Sequence, residues 1–113
     1  KYVFPDGELP HVSRAISDLS RVGLELADAE SLRRHYARTL QFWSDAVEAQ
    51  LPELVELAGE RRLRIWRVYL AGCAYGFAHG WVNVYQLLAA KPRQGPSGLE
   101  IDLPMSRADL YAD

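Results

Sequence analysis

His35-Tyr36-Ala37-Arg38-Thr39-Leu40-Gln41-Phe42-Trp43 decides how this chain is read. Leu32, Tyr36, Leu40, Trp43 and Val47 recur three or four residues apart, which puts an aromatic and leucine stripe on one face of a helix. The helix is predicted to begin near Glu30 or Ser31 and to run to about Gln50. Working outward, Pro52 restarts the chain, since proline is tolerated in a first helical turn, and Gly59 closes a short helix over Glu53 to Ala58. The longest predicted helix, Glu60 to His79, is amphipathic in its first half, where Arg61, Arg62, Arg64 and Arg67 flank Leu63, Ile65 and Trp66. Its second half, Val68 to Phe77, is apolar nearly all round, the pattern of a helix buried on several sides. Gly72 and Gly76, four apart, suggest a close backbone approach, and Gly80 ends the helix.

Upstream, Val12, Ile16, Leu19 and Val22 recur at helical spacing with Ser13 as a candidate cap and Gly23 as the stop. Leu24 to Ala29 reads as a short strand, with Leu24 and Leu26 on one side and Glu25 and Asp28 on the other. Trp81 to Ala90, aromatic, β-branched and almost free of charge, reads as an interior strand. Residues 92–113 hold Pro92, Gly95, Pro96, Gly98 and Pro104 and are expected to be loosely ordered. Lys1 opens on an apolar, turn-rich segment without a cap or polar leader, so the chain reads as a piece of something longer. Two short strands make a poor sheet alone, and the isolated chain is expected to self-associate.

The 113 residues allow one domain, and 49% hydrophobic with 25% charged residues is a globular composition. A net charge of -2 gives no bulk attraction to nucleic acid, and no helix-turn-helix or RNA-binding motif is present. The single cysteine, Cys73, excludes an internal disulfide, and His11, His35 and His79 are spaced too irregularly for a metal site. No apolar run approaches the roughly 20 residues that span a bilayer. These features suit a reducing, cytoplasmic setting with lipid met from outside. The arginine run at 61, 62, 64 and 67 is either a solvated helix face or a contact with phospholipid head groups.

Several blocks of the chain together resemble one family. Tyr2-Val3-Phe4-Pro5-Asp6-Gly7-Glu8-Leu9-Pro10, His35-Tyr36-Ala37-Arg38-Thr39-Leu40 with Trp43, Trp66-Arg67-Val68-Tyr69-Leu70-Ala71-Gly72-Cys73, Phe77 and the closing strand Val84 to Ala90 look like successive blocks of the cyclopropane-fatty-acyl-phospholipid and mycolic acid cyclopropane synthases. The similarity covers residues 1–91, with 92–113 as a tail beyond it. It implies an α/β fold: the C-terminal portion of a Rossmann-like class I methyltransferase, mostly helical here with two short strands. It implies an enzyme that uses S-adenosylmethionine to modify the double bond of an unsaturated phospholipid or other lipid acyl chain. In that family the alkene attacks the sulfonium methyl group, and a bound bicarbonate removes a proton so that a ring closes. The family tyrosine that matches Tyr36 hydrogen-bonds the bicarbonate, a role that suits a phenol, which keeps its proton at neutral pH and donates to an anion without adding charge.

The resemblance also implies that Phe4, Leu9, Leu40, Tyr69, Cys73 and Phe77 line the acyl tunnel. Their spacing agrees in part: Tyr69, Cys73 and Phe77 are four apart on one helix face, as are Tyr36 and Leu40 on another. No Gly-x-Gly-x-Gly turn follows a strand, so the cofactor loop of the family is missing and the chain alone is expected to be inactive. Without the resemblance, such a stripe is ordinary core, Tyr36 a core tyrosine and Cys73 a small buried hydrophobe. Two classes of function remain open at this point. One is a piece of a lipid methyltransferase, forming either a ring or a methyl branch, in peripheral contact with the inner face of a membrane. The other is a non-catalytic helical module for association or lipid contact.

Overall fold

The structure of the chain, a computed structural model, describes Val3 and residues 7–108. Its elements are α1 (Val12–Arg21), β1 (Glu25–Ser31), α2 (Arg33–Ala49), α3 (Leu51–Ala58), α4 (Glu60–Ala78), β2 (Tyr85–Ala90), β3 (Arg93–Gly95) and β4 (Gly98–Glu100). Two compact units divide the chain, Lys1–Leu9 with Glu30–Gln86 and Pro10–Ala29 with Leu87–Asp113.

The first unit is built on α2 and α4. The contacts between the two helices run in opposite directions along the sequence, Arg33 reaching Phe77 and Ala78 at one end and Glu48 pairing with Arg67 at the other. The helices are therefore antiparallel. Leu40 of α2 and Leu70 and Ala74 of α4 form the buried cluster between them, with Val47, Tyr69, Cys73 and Phe77 packed around it. The short helix α3 starts with Pro52 in its first turn and ends at Gly59, whose φ of 79° is accessible to glycine at no steric cost. That turn lets α3 and α4 follow one another directly.

The predicted helices are present, with differences at their ends that have local causes. α2 begins at Arg33, not at Glu30 or Ser31, because those two residues continue β1. There the Leu32 N–H donates to the Val84 carbonyl at 2.9 Å and Ser31 Oγ donates to Asn83 Oδ1 at 3.1 Å. β2 begins at Tyr85, not at Trp81, because the Trp81 N–H is used to close α4 on the Gly76 carbonyl at 2.9 Å. β2 pairs with β1, and among the described residues it has no other strand beside it. The apolar half of α4 is not buried all round as expected: Val68 stays 75% exposed and Tyr75 half exposed. Gly76 is buried, and a Cβ there would meet Val82 Cγ2 at 3.5 Å, whereas among the described residues nothing lies within 4 Å of a Cβ on Gly72, so the expected close backbone approach is not made there by any of them.

In the second unit α1 is capped by His11, whose Nδ1 accepts from the Ser13 N–H at 3.2 Å, in place of the expected Ser13 cap. His11 has the extended backbone that a capping residue needs, whereas Ser13 already lies inside the first turn. Asp28 shares the sheltered side of β1 with Leu26, opposite to its expected placement, because it is two residues from Leu26 and pairs with Arg107 at 3.1 Å. Residues 93–100, expected to be loose, instead form an antiparallel hairpin in which Arg93 faces Glu100 and Gly95 faces Gly98. Pro96 and Ser97 make the turn, Gly98 takes a positive φ, and the Glu100 carboxylate lies where a Gly95 side chain would be. The proline and glycine content that suggested looseness supplies the turn geometry.

Because Leu40 and Leu70 are only 6% and 5% exposed, truncating either removes packing that the two helices cannot replace. Leu70→Ala is expected to lower the stability of the chain by about 3 kcal/mol. Val68→Ala on the opposite face of α4 is expected to change it by less than about 0.5 kcal/mol. Urea unfolding of the two variants, followed by circular dichroism, checks the difference.

Candidate functional site

Five of the seven residues named from the sequence come together on the facing sides of α2 and α4. Tyr69, Cys73 and Phe77 follow one another at single-turn spacing along α4, half-buried against Leu40. Tyr36, one turn before Leu40 on α2, lays its ring beside that of Phe77, with centroids 5.6 Å apart and planes tilted by 38°. The Tyr36 side is not sealed: the residue is 39% exposed. The wall is therefore apolar and aromatic, with one phenol at its accessible edge. Leu9, at 84% exposure, is not drawn into this group. A lone leucine in an irregular segment has no neighbouring helix turn to fix it. Phe4 lies outside the described residues.

Two polar devices bracket the apolar seam. At one end Arg67 donates to Glu48 through both Nε and Nη2, the latter at 2.8 Å to Oε2, and the hydrogen bond and negative charge of Glu48 raise the guanidinium pKa above its ordinary value. At the other end Arg33 Nη1 donates to the carbonyls of Phe77 and Ala78 at 2.9 and 3.1 Å. Sequence reasoning missed Arg33, because its partners are backbone oxygens that leave no residue signature. Trp66, named from the sequence only beside the arginines and in the Trp66–Cys73 block, also meets the Tyr69 ring edge-on at 5.5 Å, a contact that their three-residue spacing could have signalled.

The Tyr69 hydroxyl is held protonated beyond the usual range: burial pushes its pKa up, and a hydrogen bond with Cys73 adds to the rise. At neutral pH this face therefore carries no charge from Tyr69. Arg61, Arg62 and Arg64 are exposed, and Arg61 and Arg62 border an open hollow of about 550 Å³ with Gly59, Ile65 and Trp66 at the start of α4. That hollow is at the opposite end of α4 from Phe77 and is half polar, unlike the wall beside Tyr36.

Among the described residues no group of histidine, cysteine or acidic side chains could hold a metal ion. No described helix is long and apolar enough to cross a membrane. A nucleotide-type cofactor needs a glycine-rich turn between a strand and a helix. β1 instead passes to α2 through Leu32 alone, and β2 is followed by Lys91 and Pro92, so neither junction fits S-adenosylmethionine. For a small anion such as bicarbonate the fit is partial, since the Tyr36 hydroxyl offers one neutral donor.

Residues 1–87 match the family model described as mycolic acid cyclopropane synthetase. A "probable fatty acid methyltransferase" of Pseudomonas putida is 51% identical over 111 residues, which are 98% of this chain and 27% of that protein. The solved structure of the cyclopropane synthase MmaA2 from Mycobacterium tuberculosis superposes with a TM-score of 0.77 at 32% identity, covering 79% of this chain and 31% of that one. Mycolic acid cyclopropane synthase CmaA1, solved in complex with SAH and CTAB, superposes with a TM-score of 0.75 at 33% identity, over 77% of this chain and 30% of that one. The fold is therefore part of a class I S-adenosylmethionine-dependent methyltransferase, as the sequence predicted. The chain belongs to the mycolic acid cyclopropane synthetase family. It spans about a quarter to a third of the length of the relatives it matches.

The raised Tyr69 pKa gives a checkable sign. The unfolded phenol ionises near 10.0 and the folded one higher, so its contribution to stability is intact below about pH 10 and is lost as the pH rises through the folded value. Ultraviolet titration of the chain against Tyr69→Phe should locate one phenol above the ordinary range. Cys73→Ala should lower that midpoint without returning it to normal, because burial is the larger cause.

Proposed function

We propose that the intact protein containing this chain transfers a one-carbon unit from S-adenosylmethionine to the double bond of a lipid acyl chain, with bicarbonate as the base. This chain supplies the acyl-facing wall and one anion-binding hydroxyl. The observation that carries the reading is the assembly of Tyr36, Leu40, Tyr69, Cys73 and Phe77 on facing sides of two antiparallel helices, in a chain whose family is that of the cyclopropane synthases.

S-adenosylmethionine, held elsewhere in the intact protein, supplies the one-carbon unit, and bicarbonate supplies a proton acceptor. The remaining work belongs to residues of this chain. Cys73 and Phe77, half-buried at the edge of the cluster, present apolar surface to the hydrocarbon and exclude water from it, and Leu40, itself buried, backs them from within. The Tyr36 and Phe77 rings, 5.6 Å apart, put two π-systems at the edge of this wall, which would favour positive charge developing on an acyl chain beside them. The Tyr36 O–H donates one hydrogen bond to the anion and holds it without adding a charge that would compete with the developing cation. The remaining ligands to the anion come from outside this chain.

The exposed arginines at 61, 62 and 64, beside Ile65 and Trp66, suit peripheral contact with phospholipid head groups at the cytoplasmic face of a membrane, where a substrate acyl chain is presented. Formation of a methyl branch at the same site is the second reading, favoured by the 51% identity to a fatty acid methyltransferase. Ring and branch differ in which carbon gives up the proton after methyl transfer: the new methyl group for a ring, a neighbouring chain carbon for a methyl-branched alkene.

In the intact protein Tyr36→Phe is expected to reduce turnover about a hundredfold, the scale of losing one preorganised donor. Binding of S-adenosylmethionine should be unchanged, because the ring and its contact with Phe77 remain. Single-turnover kinetics with a monounsaturated phospholipid, alongside calorimetric titration of the cofactor, separates the two effects. Unchanged turnover refutes the assigned role.

A further inference from the structure

Arg33 breaks a local rule. It is the first residue of α2, followed by Arg34, and the first turn of that helix has no acidic residue. A cation at a helix N-terminus faces the positive end of the macrodipole, so nothing in α2 itself favours it. The last turn of α4, conversely, has no basic residue of its own to meet its exposed carbonyls. Arg33 fills that need from the neighbouring helix, donating from Nη1 to the carbonyls of Phe77 and Ala78 at 2.9 and 3.1 Å. The fit is close: a Cβ on Gly80 would lie 3.7 Å from the same nitrogen. Competing partners are weak, since among the described residues the other donor to the Phe77 carbonyl beyond the helix ladder is the Gly80 N–H at 3.4 Å.

We infer that Arg33 is a positioning residue for the acyl-facing wall: its guanidinium locks the last turn of α4 and thereby fixes the Phe77 ring against Tyr36. The inference rests on the acyl-pocket reading proposed above and extends it to a residue whose guanidinium is engaged by the α4 backbone. Tyr36 stands one turn beyond Arg33 on α2, and its ring meets the ring of the residue whose carbonyl Arg33 holds. One side chain thus ties the backbone under the first ring to the helix that carries the second. Beside it, Ser31 donates to Asn83 Oδ1, and that oxygen also accepts from the Val84 N–H at 2.8 Å. These contacts hold the β1–α2 junction to the α4–β2 junction. Only Arg33 among them reaches α4.

The test uses the intact protein with Arg33→Ala and Arg33→Lys. Loss of two charge-assisted hydrogen bonds should raise the KM for the acyl acceptor about tenfold. The expected kcat falls far less, the KM for S-adenosylmethionine stays at the wild-type value, and Arg33→Lys recovers most of the loss. A merely structural role would lower the active fraction, and so kcat, with the acceptor KM unmoved; that result, or wild-type kinetics in Arg33→Ala, overturns the inference. Hydrogen exchange reads the lock without any activity. Amides of His79, Gly80 and Trp81 should exchange faster in Arg33→Ala and regain protection in Arg33→Lys, and unchanged exchange also overturns the inference. Failure of the wild-type protein to transfer a methyl group refutes the proposed function alone and leaves the exchange measurement decisive for Arg33.

Discussion

Leu40 seats between Leu70 and Ala74, and the position of every candidate residue in Glu30–Gln86 follows from that contact. An apolar seam between two antiparallel helices fixes their separation but leaves rotation and sliding to be set by other groups, because dispersion and hydrophobic contact have little directionality. The polar ends supply the direction. Arg67 pairs with Glu48 at one end of the seam and Arg33 donates to the α4 carbonyls at the other, contacts that oppose sliding of α4 along α2 and rotation of its Phe77 face. Hydrogen bonds between charged and neutral groups suit this task, since they fail steeply with distance and angle.

What the seam leaves uncovered is as informative as what it buries. Tyr69, Cys73 and Phe77 are half-buried at the edge of the cluster, and Tyr36 keeps an accessible rim. A wall of this kind is continuous with the core on one side and open on the other, so its residues answer to packing and to whatever lies against them. That double role explains why an aromatic stripe alone cannot distinguish a core from a lipid pocket.

The helices were legible because their signals are local: the recurrence of Leu32, Tyr36, Leu40, Trp43 and Val47, the proline in the first turn of α3, and the glycines at 59 and 80, although Trp43, expected on the packed stripe, stays 56% exposed. The ends of α2 and β2 were not, since Leu32, Val84, Gly76 and Trp81 exchange backbone hydrogen bonds across some fifty residues or around a turn, and backbone groups carry no sequence identity. Arg33 was silent for the same reason. The β3–β4 hairpin was misjudged because proline and glycine mark both loose chain and tight turns, and the Gly95–Glu100 contact that separates the two is visible only in three dimensions. For the site, periodicity placed Tyr69, Cys73 and Phe77 on one face. Leu9 had no periodicity to place it, and it stands in solvent.

The central claim is that the Tyr36, Leu40, Tyr69, Cys73 and Phe77 face lies along the path of an acyl chain. A photoreactive group placed mid-chain in a phospholipid, activated in the presence of the intact protein and S-adenosylhomocysteine, tests it directly. Crosslinked peptides should map to α2 and α4 and concentrate on the turns bearing Tyr36, Cys73 and Phe77. Labelling confined to other segments of the protein, with these turns untouched, would contradict it.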